Sequence, residues 1–136
     1  MSRLVVDTNV LLSSFISAGP PRLILNRVRD RLDLLCISPP ILEEYAEVLK
    51  RAGIGHDLLM PLFSLFQDPE RVAAVIPSQR IDMIREDPSD NMFLECATEA
   101  RADYLISGDR HLKRLKSFQG ITIMAPREYL ATKSTT

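Results

Sequence analysis

The sequence predicts a single α/β domain in which a parallel sheet of about five strands lies between helices, a Rossmann-like three-layer arrangement. Short apolar runs alternate with segments whose apolar residues recur at helical spacing. The first run, Leu4-Val5-Val6, is apolar throughout, which is typical of a strand covered on both faces. The chain has 136 residues, enough for one core. We therefore predict one domain over residues 1–131 and a polar tail over residues 132–136.

Proline and glycine residues mark the helices of the first half. Pro21 suits the first turn of a helix, and Ser38-Pro39-Pro40 supplies a cap and a start for the next one. That helix ends before Gly53, and the amphipathic segment after it carries Pro61 in its first turn or at a kink. The predicted order is a strand at 3–7, helices at 10–17 and 21–31, a strand at 32–37, helices at 39–51 and 56–66, and a strand at 71–76.

The second half resumes the alternation after a polar segment. Residues 77–87 show no clear period, so we predict a loop with an extended piece. Asp87-Pro88-Ser89-Asp90 then opens a helix that ends near residue 101. The remaining signals predict a strand at 104–106, a helix at 110–116, a strand at 121–124 and a helix at 126–131.

Composition restricts the location of the protein and its binding chemistry. Hydrophobic residues make up 46% of the chain and charged residues 26%, as in an ordinary globular protein. Because the net charge is −1, any nucleic-acid binding has to come from local patches. Cys36 and Cys96 lack metal-site spacing, which favours buried free thiols in a reducing compartment. No signal peptide or membrane-spanning run is evident, so we expect a cytoplasmic protein without membrane contact.

Asp7 and Asp109 each follow a predicted strand. Ligands of open α/β sheets bind at the carboxyl ends of the strands, so both carboxylates are candidates for one site. Each aspartate also stands just before a predicted helix, where its only role could be that of an N-cap. Ser107 in the turn before Asp109 either donates a hydrogen bond to a bound anion or satisfies the turn backbone.

Glu44 lies on the helix predicted at 39–51, and its direction follows from a rotation of about 100° per residue. It falls about 40° from Val48, at the rim of the apolar face, whereas Glu43 and Glu47 fall on the opposite side. Glu44 is therefore placed to face a cleft, and the other two are best explained as solvated charges.

Asp90 falls within the apolar face of the helix that it opens, between Leu94 and Ala97. A carboxylate in that first turn either faces a ligand or is simply stabilised by the helix dipole. We expect Asp87 to cap the helix and Asn91 to be an exposed amide, although Asn91 has the alternative role of orienting a ligand.

All four carboxylates, Asp7, Glu44, Asp90 and Asp109, can face one crevice. Two carboxylates about 4 Å apart repel by roughly 4 kcal/mol at an effective dielectric constant of 20, so the cluster requires a cation. No lysine or arginine adjoins the first three in the sequence in a way that suggests pairing. A cluster of oxygen ligands suits Mg²⁺ or Mn²⁺, and we predict a divalent metal site.

Taken in order, these stretches resemble the PIN domain family. The resemblance covers residues 3 to about 130 and rests on Leu4-Val5-Val6-Asp7-Thr8-Asn9, on Ser38-Pro39 leading to Glu44, on Asp87-Pro88-Ser89-Asp90-Asn91 and on Ser107-Gly108-Asp109. It implies a metal-dependent ribonuclease whose products carry a 5′-phosphate and a 3′-hydroxyl. A chain that consists almost entirely of this domain resembles the ribonuclease toxins of bacterial toxin–antitoxin modules. This resemblance implies a cognate antitoxin as partner.

The resemblance also implies roles for individual residues. Glu43 remains an alternative to Glu44, and Asp87 to Asp90. Matched position by position, the metal-binding residues are Asp7, Glu44, Asp90 and Asp109, and Asn9 and Ser107 are supporting residues.

An RNA substrate would need basic groups near the acidic site. The densest basic cluster is Arg110, Lys113, Arg114 and Lys116, which either holds the phosphate backbone or is a solvated helix face.

Two further features concern the surface. His56 and His111 have no evident acid–base partner in the sequence, and we expect both at the surface. Apolar residues on the helix at 56–66 suggest contact between two copies of the chain, and hence a homo-oligomer, most simply a dimer.

Two rival functions compete with a ribonuclease. The first is a phosphatase or phospho-acceptor domain, in which the aspartate that ends the first strand is phosphorylated. A haloacid-dehalogenase-like phosphatase would need a second aspartate two residues after Asp7, where the chain has Asn9. A receiver-like phospho-acceptor domain would need an acidic pair before that aspartate and a late strand-end lysine, and neither is present. The second rival, a catalytically inactive PIN-like interaction module, is opposed by the four intact acids.

Overall fold

The computed structural model of the protein describes residues 1–133. A 3₁₀ turn, Pro88–Asp90, leads into the fifth α-helix. The elements in chain order are β1 (Ser2–Val6), α1 (Thr8–Ile16), α2 (Pro20–Arg29), β2 (Asp33–Ile37), α3 (Pro39–Arg51), α4 (His56–Phe66), β3 (Val72–Ala74), α5 (Asn91–Ala100), β4 (Tyr104–Ile106), α6 (Arg110–Lys113), β5 (Ser117–Phe118), β6 (Ile121–Met124) and α7 (Pro126–Lys133).

The strands form a single sheet in the order β3-β2-β1-β4-β6-β5, flanked by helices. The four pairings among the first five of these strands are parallel, which confirms the predicted α/β class. From β1 the chain first builds outward through β2 and β3, then returns to β4 on the other side of β1. The order of strands therefore reverses between β1 and β4, the place where ligands bind in open α/β sheets.

The prediction of about five strands missed β5, which pairs antiparallel with β6. Gln119 and Gly120 connect the two strands with φ angles of 50° and 85°. Two successive positive φ angles are typical of the tight turns that fit the twist of a hairpin, and glycine adopts them without strain.

The core lies where the helices cover the central strands. All five residues of β2 are buried, and α5 packs against β1, β2 and β4. Asp33 in β2 is fully buried, but it accepts hydrogen bonds from Arg27 Nε at 2.8 Å and from the Tyr129 hydroxyl at 2.7 Å. Through these two hydrogen bonds Asp33 joins α2, β2 and α7. Cys36 and Cys96 are free and buried, as predicted.

Several predicted boundaries were wrong by one to three residues. The structure ends α2 and α6 before the predicted limits at 31 and 116, because Arg31 and Lys116 both adopt a φ of 61°. Conversely, α7 extends to Lys133, whose Nζ donates to Ser2 Oγ at 2.9 Å. The first two residues of the predicted tail are therefore helical, and residues 134–136 lie outside the described residues.

Pro61 lies inside α4, in its second turn, which excludes the first of the two predicted alternatives, a place in the first turn. Among the helices of residues 1–133, none combines the length and the apolar composition needed to cross a bilayer.

Candidate active site

Asp7 follows the last residue of β1, at the point where the strand order reverses. Its side chain is 4% exposed. One carboxylate oxygen, Oδ1, accepts from the Val10 backbone N–H at 2.9 Å, and Oδ2 accepts from the Ser107 hydroxyl. Burial raises the pKa of Asp7, whereas these hydrogen bonds oppose the shift. Asp7 is thus both the N-cap of α1 and a carboxylate of the crevice, so the two interpretations are compatible.

Ser107 connects Asp7 with Asp109 across the ends of two strands. Besides donating to Asp7, its fully buried hydroxyl oxygen accepts the Asp109 backbone N–H at 2.9 Å. Asp109 Oδ1 accepts the backbone N–H groups of His111 at 2.7 Å and Leu112 at 3.2 Å, so Asp109 is also the N-cap of α6. The capping contacts fix the carboxylate without preventing it from lining the crevice.

Glu44 enters the crevice from α3. Its Oε2 accepts a hydrogen bond from the buried Thr8 hydroxyl at 3.1 Å, whereas Glu43 is exposed. The next residue, Tyr45, is fully buried, and its hydroxyl donates to the carbonyl of Val6 at the end of β1. This contact fixes α3 against the strand that carries Asp7. Thr8 was missed as a site residue, although it lies between Asp7 and Asn9 in the first motif.

Asp90 ends the 3₁₀ turn and faces the same crevice. Its Oδ2 is buried without a hydrogen-bond partner among the described residues. Burial, followed by repulsion from Asp109, Asp87 and Asp7, raises the pKa of Asp90 to about 7. A buried, unpartnered carboxylate oxygen among other carboxylates is the arrangement that a bound cation would stabilise.

The prediction that the side chain of Asp87 caps the helix was wrong. Asp87 occupies the N-cap position, but its side chain makes no capping hydrogen bond and instead accepts from the Ser89 hydroxyl at 2.6 Å. It is exposed at the edge of the crevice, which it helps to line.

The expected exposure of Asn91 was also wrong. Asn91 is 5% exposed, and its side chain holds the segment that precedes Asp90. Its Oδ1 accepts from Met83 N–H at 3.0 Å and Ile84 N–H at 2.8 Å, and its Nδ2 donates to the carbonyls of Ile84 at 2.9 Å and Pro88 at 3.0 Å. Asn91 therefore positions the turn that carries Asp90 and does not line the crevice.

The crevice has a volume of about 200 Å³ and is strongly acidic. Asn9 is exposed at its edge, and Val48 and Phe93 provide apolar wall. Among the described residues no lysine or arginine lines it or forms an ion pair with Asp7, Glu44 or Asp90. The full lining is Asp7, Thr8, Asn9, Glu44, Val48, Asp87, Ser89, Asp90, Phe93 and Asp109.

The predicted basic cluster lies on and just after α6, outside the crevice lining. Arg110 and Lys116 are exposed and Lys113 is half-buried. Arg114 is exposed as well, but its guanidinium forms an ion pair in which Nη2 lies 2.7 Å from Glu86 Oε1.

The expectation that both histidines lie free at the surface holds for His56, which is exposed, and was wrong for His111. The side chain of His111 is 21% exposed, and its Nδ1 lies 3.5 Å from Asp109 Oδ1. One ligand atom each from Asp90, Asp109 and His111 lie within 4.8 Å of one another.

The fold and the crevice together define an α/β protein with an acidic site at the strand-order reversal of its sheet. The chain belongs to the PIN domain family, since the family model described as "PIN domain" matches residues 3–111. PIN domains are generally nucleases, and they typically hold divalent metals through acidic residues.

Among solved structures, the chain is similar to a crystal structure of VapBC2 from Rickettsia felis bound to a DNA fragment from their promoter. The superposition has a TM-score of 0.59 with 12% sequence identity, and it covers 89% of this chain and 96% of the other. This likeness confirms the fold. No curated protein matches the sequence.

Proposed function

We propose that the protein is a metal-dependent endoribonuclease that hydrolyses RNA phosphodiester bonds, and that it is the toxin component of a toxin–antitoxin system. One observation carries the proposal. Asp7, Glu44, Asp90 and Asp109 come from four separate parts of a PIN domain and line one crevice that has no basic side chain in its described lining. Carboxylates gathered without a positive partner are costly unless a cation neutralises them.

The donor set fits a hard divalent cation. The four acids would hold Mg²⁺ or Mn²⁺, both of which prefer oxygen ligands. The unpartnered Oδ2 of Asp90 supports this assignment, because a buried carboxylate oxygen without a donor is destabilised. When bound, such a cation activates a water molecule and stabilises the charge that develops on the phosphate.

The protein's own contribution is to fix the acids in place. Ser107 and the α1 backbone hold Asp7, Thr8 holds Glu44, and the first N–H groups of α6 hold Asp109. Groups fixed before the reaction need little reorganisation when the substrate binds. Asn9 is exposed at the edge of the crevice, and we assign its amide to the scissile phosphate as a hydrogen-bond donor.

RNA would reach the crevice along the basic cluster beyond Asp109. Neutralisation of backbone phosphates by lysine and arginine supplies most of the affinity for nucleic acid in the absence of sequence recognition. Arg110 and Lys116 are exposed and available for such contacts, whereas Arg114 would first have to leave Glu86.

The antitoxin and the dimer are further parts of the proposal. The structural neighbour VapBC2 is a toxin–antitoxin complex, which supports a cognate antitoxin as partner. An apolar groove of about 790 Å³ between α3 and α4 offers surface for a protein partner. On α4, Leu58 and Met60 are 46% and 50% exposed outside this groove, and we assign them to self-association. A toxin that cleaves cellular RNA acts in the cytoplasm.

The test is incubation of the purified protein with end-labelled RNAs in Mg²⁺, Mn²⁺ or chelator, beside the variants Asp7→Asn and Asp57→Asn. Asp57 is an exposed carboxylate on α4, outside the crevice lining, and serves as the matched control. We expect internal cleavage that needs the metal, is lost in Asp7→Asn and is retained in Asp57→Asn. Cleavage that survives chelator, or that persists in Asp7→Asn, overturns the metal mechanism.

A thermal melt tests the metal site without any RNA. Mn²⁺ at millimolar concentration should raise the melting midpoint of the protein, because the ion binds the folded state. The Asp7→Asn variant should show no such rise. A metal-dependent rise without cleavage of any RNA would instead support an inactive interaction module.

A further inference from the structure

His111 lies beside the acidic crevice and is not one of the four acids assigned to the metal. Its backbone is fixed by the capping residue, because Asp109 Oδ1 accepts the His111 N–H at 2.7 Å. The Nδ1 atom of His111 is buried and has no hydrogen-bond partner among the described residues. The nearest carboxylate oxygen, Asp109 Oδ1, already accepts two backbone N–H groups.

The three groups lie close enough to reach one ion. Nδ1 of His111 and Oδ1 of Asp109 are 3.5 Å apart, at the outer limit for a hydrogen bond. Two ligands that each lie about 2.1 Å from an ion are separated by about 3 Å at right angles and by about 3.4 Å at tetrahedral angles. One ligand atom each from Asp90, Asp109 and His111 lie within 4.8 Å of one another.

Two of the three residues have a buried polar atom with no partner. These atoms are Oδ2 of Asp90 and Nδ1 of His111. Buried polar atoms normally find partners, and an orphaned acceptor is best explained by a missing donor or ion. A single cation between the carboxylates and the imidazole would satisfy both atoms.

We propose that His111 is a nitrogen ligand of the divalent ion, shared with Asp90 and Asp109, and that it biases the site toward a transition-metal ion over Mg²⁺. The inference rests on the proposed function, since it concerns the ion of the same crevice. Mg²⁺ binds almost entirely through oxygen, whereas imidazole is a ligand of transition-metal ions. With His111 included, the site has mixed nitrogen and oxygen ligands, and Mn²⁺ is the better of the two candidate cofactors.

The experiment uses Mn²⁺ as the probe and compares wild type with His111→Asn, His56→Asn and Asp7→Asn. His56, the only other histidine in the sequence, is exposed at the start of α4 and is the matched control. Electron spin-echo modulation of the Mn²⁺-loaded protein detects nitrogen bound to the ion. Titration calorimetry measures the dissociation constants for Mn²⁺ and Mg²⁺ separately.

We expect nitrogen modulation in wild type and in His56→Asn and its loss in His111→Asn. The Mn²⁺ dissociation constant should rise about tenfold or more in His111→Asn, while the Mg²⁺ constant changes by less than about threefold. Mn²⁺ that binds tightly to wild type but not to Asp7→Asn, with no nitrogen signal, overturns the role of His111 and leaves the proposed function standing. Wild type that binds neither ion overturns both.

Discussion

The Ser107 hydroxyl donates a hydrogen bond to the carboxylate of Asp7, and this contact joins residues 100 positions apart in the chain. The strands that precede them, β1 and β4, pair in register through Val6 and Ile106, so the two side chains emerge side by side. Burial raises the pKa of Asp7, and the bond from Ser107 is the largest effect that opposes this rise. Ser107 therefore helps Asp7 to remain ionised.

Replacing Ser107 with alanine should move the acidic limb of RNA cleavage to higher pH. Without the donor the Asp7 carboxylate is less stable, its pKa rises further, and more alkaline solution is needed to ionise it. The measurement is the pH dependence of kcat/KM at a fixed Mn²⁺ concentration below saturation, because the proton and the ion compete for Asp7. Ser78→Ala removes an exposed hydroxyl that donates to Glu99 outside the crevice, and its profile should match wild type. An unchanged acidic limb in Ser107→Ala would exclude this role.

Glu44→Gln and Glu43→Gln should differ strongly although the residues are adjacent. Glu44 lines the crevice and is held by Thr8, whereas Glu43 is exposed. Loss of a ligand should weaken Mn²⁺ binding at least about tenfold in Glu44→Gln, with a parallel loss of cleavage, and leave Glu43→Gln within about twofold of wild type. Calorimetric titration with Mn²⁺ measures the first effect and single-turnover cleavage the second. Equal losses in both variants would contradict the assignment of α3.

The sequence predicted those features that depend on local pattern. Asp7 and Asp109 were found because each follows a short apolar strand, and the carboxyl ends of parallel strands meet at one edge. Glu44 was found because helical rotation places it beside Val48 and away from Glu43. A short apolar run was enough for the two aspartates, and the helical period of 3.6 residues was enough for Glu44.

The features that the sequence analysis missed depend on contacts between distant segments. Helical rotation places Asn91 off the apolar face of α5, and its burial comes from residues 83 and 84 crossing that side of the helix. The hydroxyl of Thr8 meets Glu44 across 36 positions. The Nδ1 atom of His111 lies 3.5 Å from Asp109 Oδ1, and a helix of four residues is too short for periodicity to predict this direction.

Asn91→Ala should destabilise the protein by about 3 kcal/mol, because it leaves several buried backbone groups of residues 83, 84 and 88 without partners. Urea unfolding measures the free energy of unfolding directly. The control is Asn9→Ala, which removes an exposed amide and should change that free energy by no more than about 0.5 kcal/mol. Equal small effects in the two variants would show that the segment before Asp90 is held by other contacts.

Glu86→Gln should strengthen RNA binding and steepen its dependence on salt. The exposed pair between Glu86 and Arg114 keeps the guanidinium from a phosphate, and the amide removes that competition. One additional phosphate contact adds about 0.7 to the magnitude of the slope of log K against log salt for a single strand. Fluorescence anisotropy on an Asp7→Asn background measures binding without cleavage. Glu70→Gln breaks a comparable exposed pair with Arg31 and should leave the slope unchanged, so the same change in both variants would refute the effect.

Asp90→Asn should stabilise the metal-free protein at pH 8 and have little effect at pH 4. The folded-state pKa of Asp90 is raised from 3.8 to about 7. As pH rises through this interval the unfolded chain ionises first, so the folded state loses stability between pH 4 and 7 and carries the full penalty above it. After allowance for solvent screening we expect a gain of about 1–2 kcal/mol at pH 8.

Urea unfolding in chelator checks the gain in Asp90→Asn, with Asp57→Asn as the control, because Asp57 is exposed on α4 outside the crevice and its replacement should shift stability by less than about 0.5 kcal/mol. Saturating Mn²⁺ should reverse the order at pH 8, since the ion stabilises the ionised wild-type site more than the amide variant. A variant less stable than wild type in chelator at pH 8 would show that the carboxylate is satisfied within the protein. That result would give no support to a cation at Asp90. A reversal of the order by Mn²⁺ would instead show that the ion relieves the repulsion among the carboxylates.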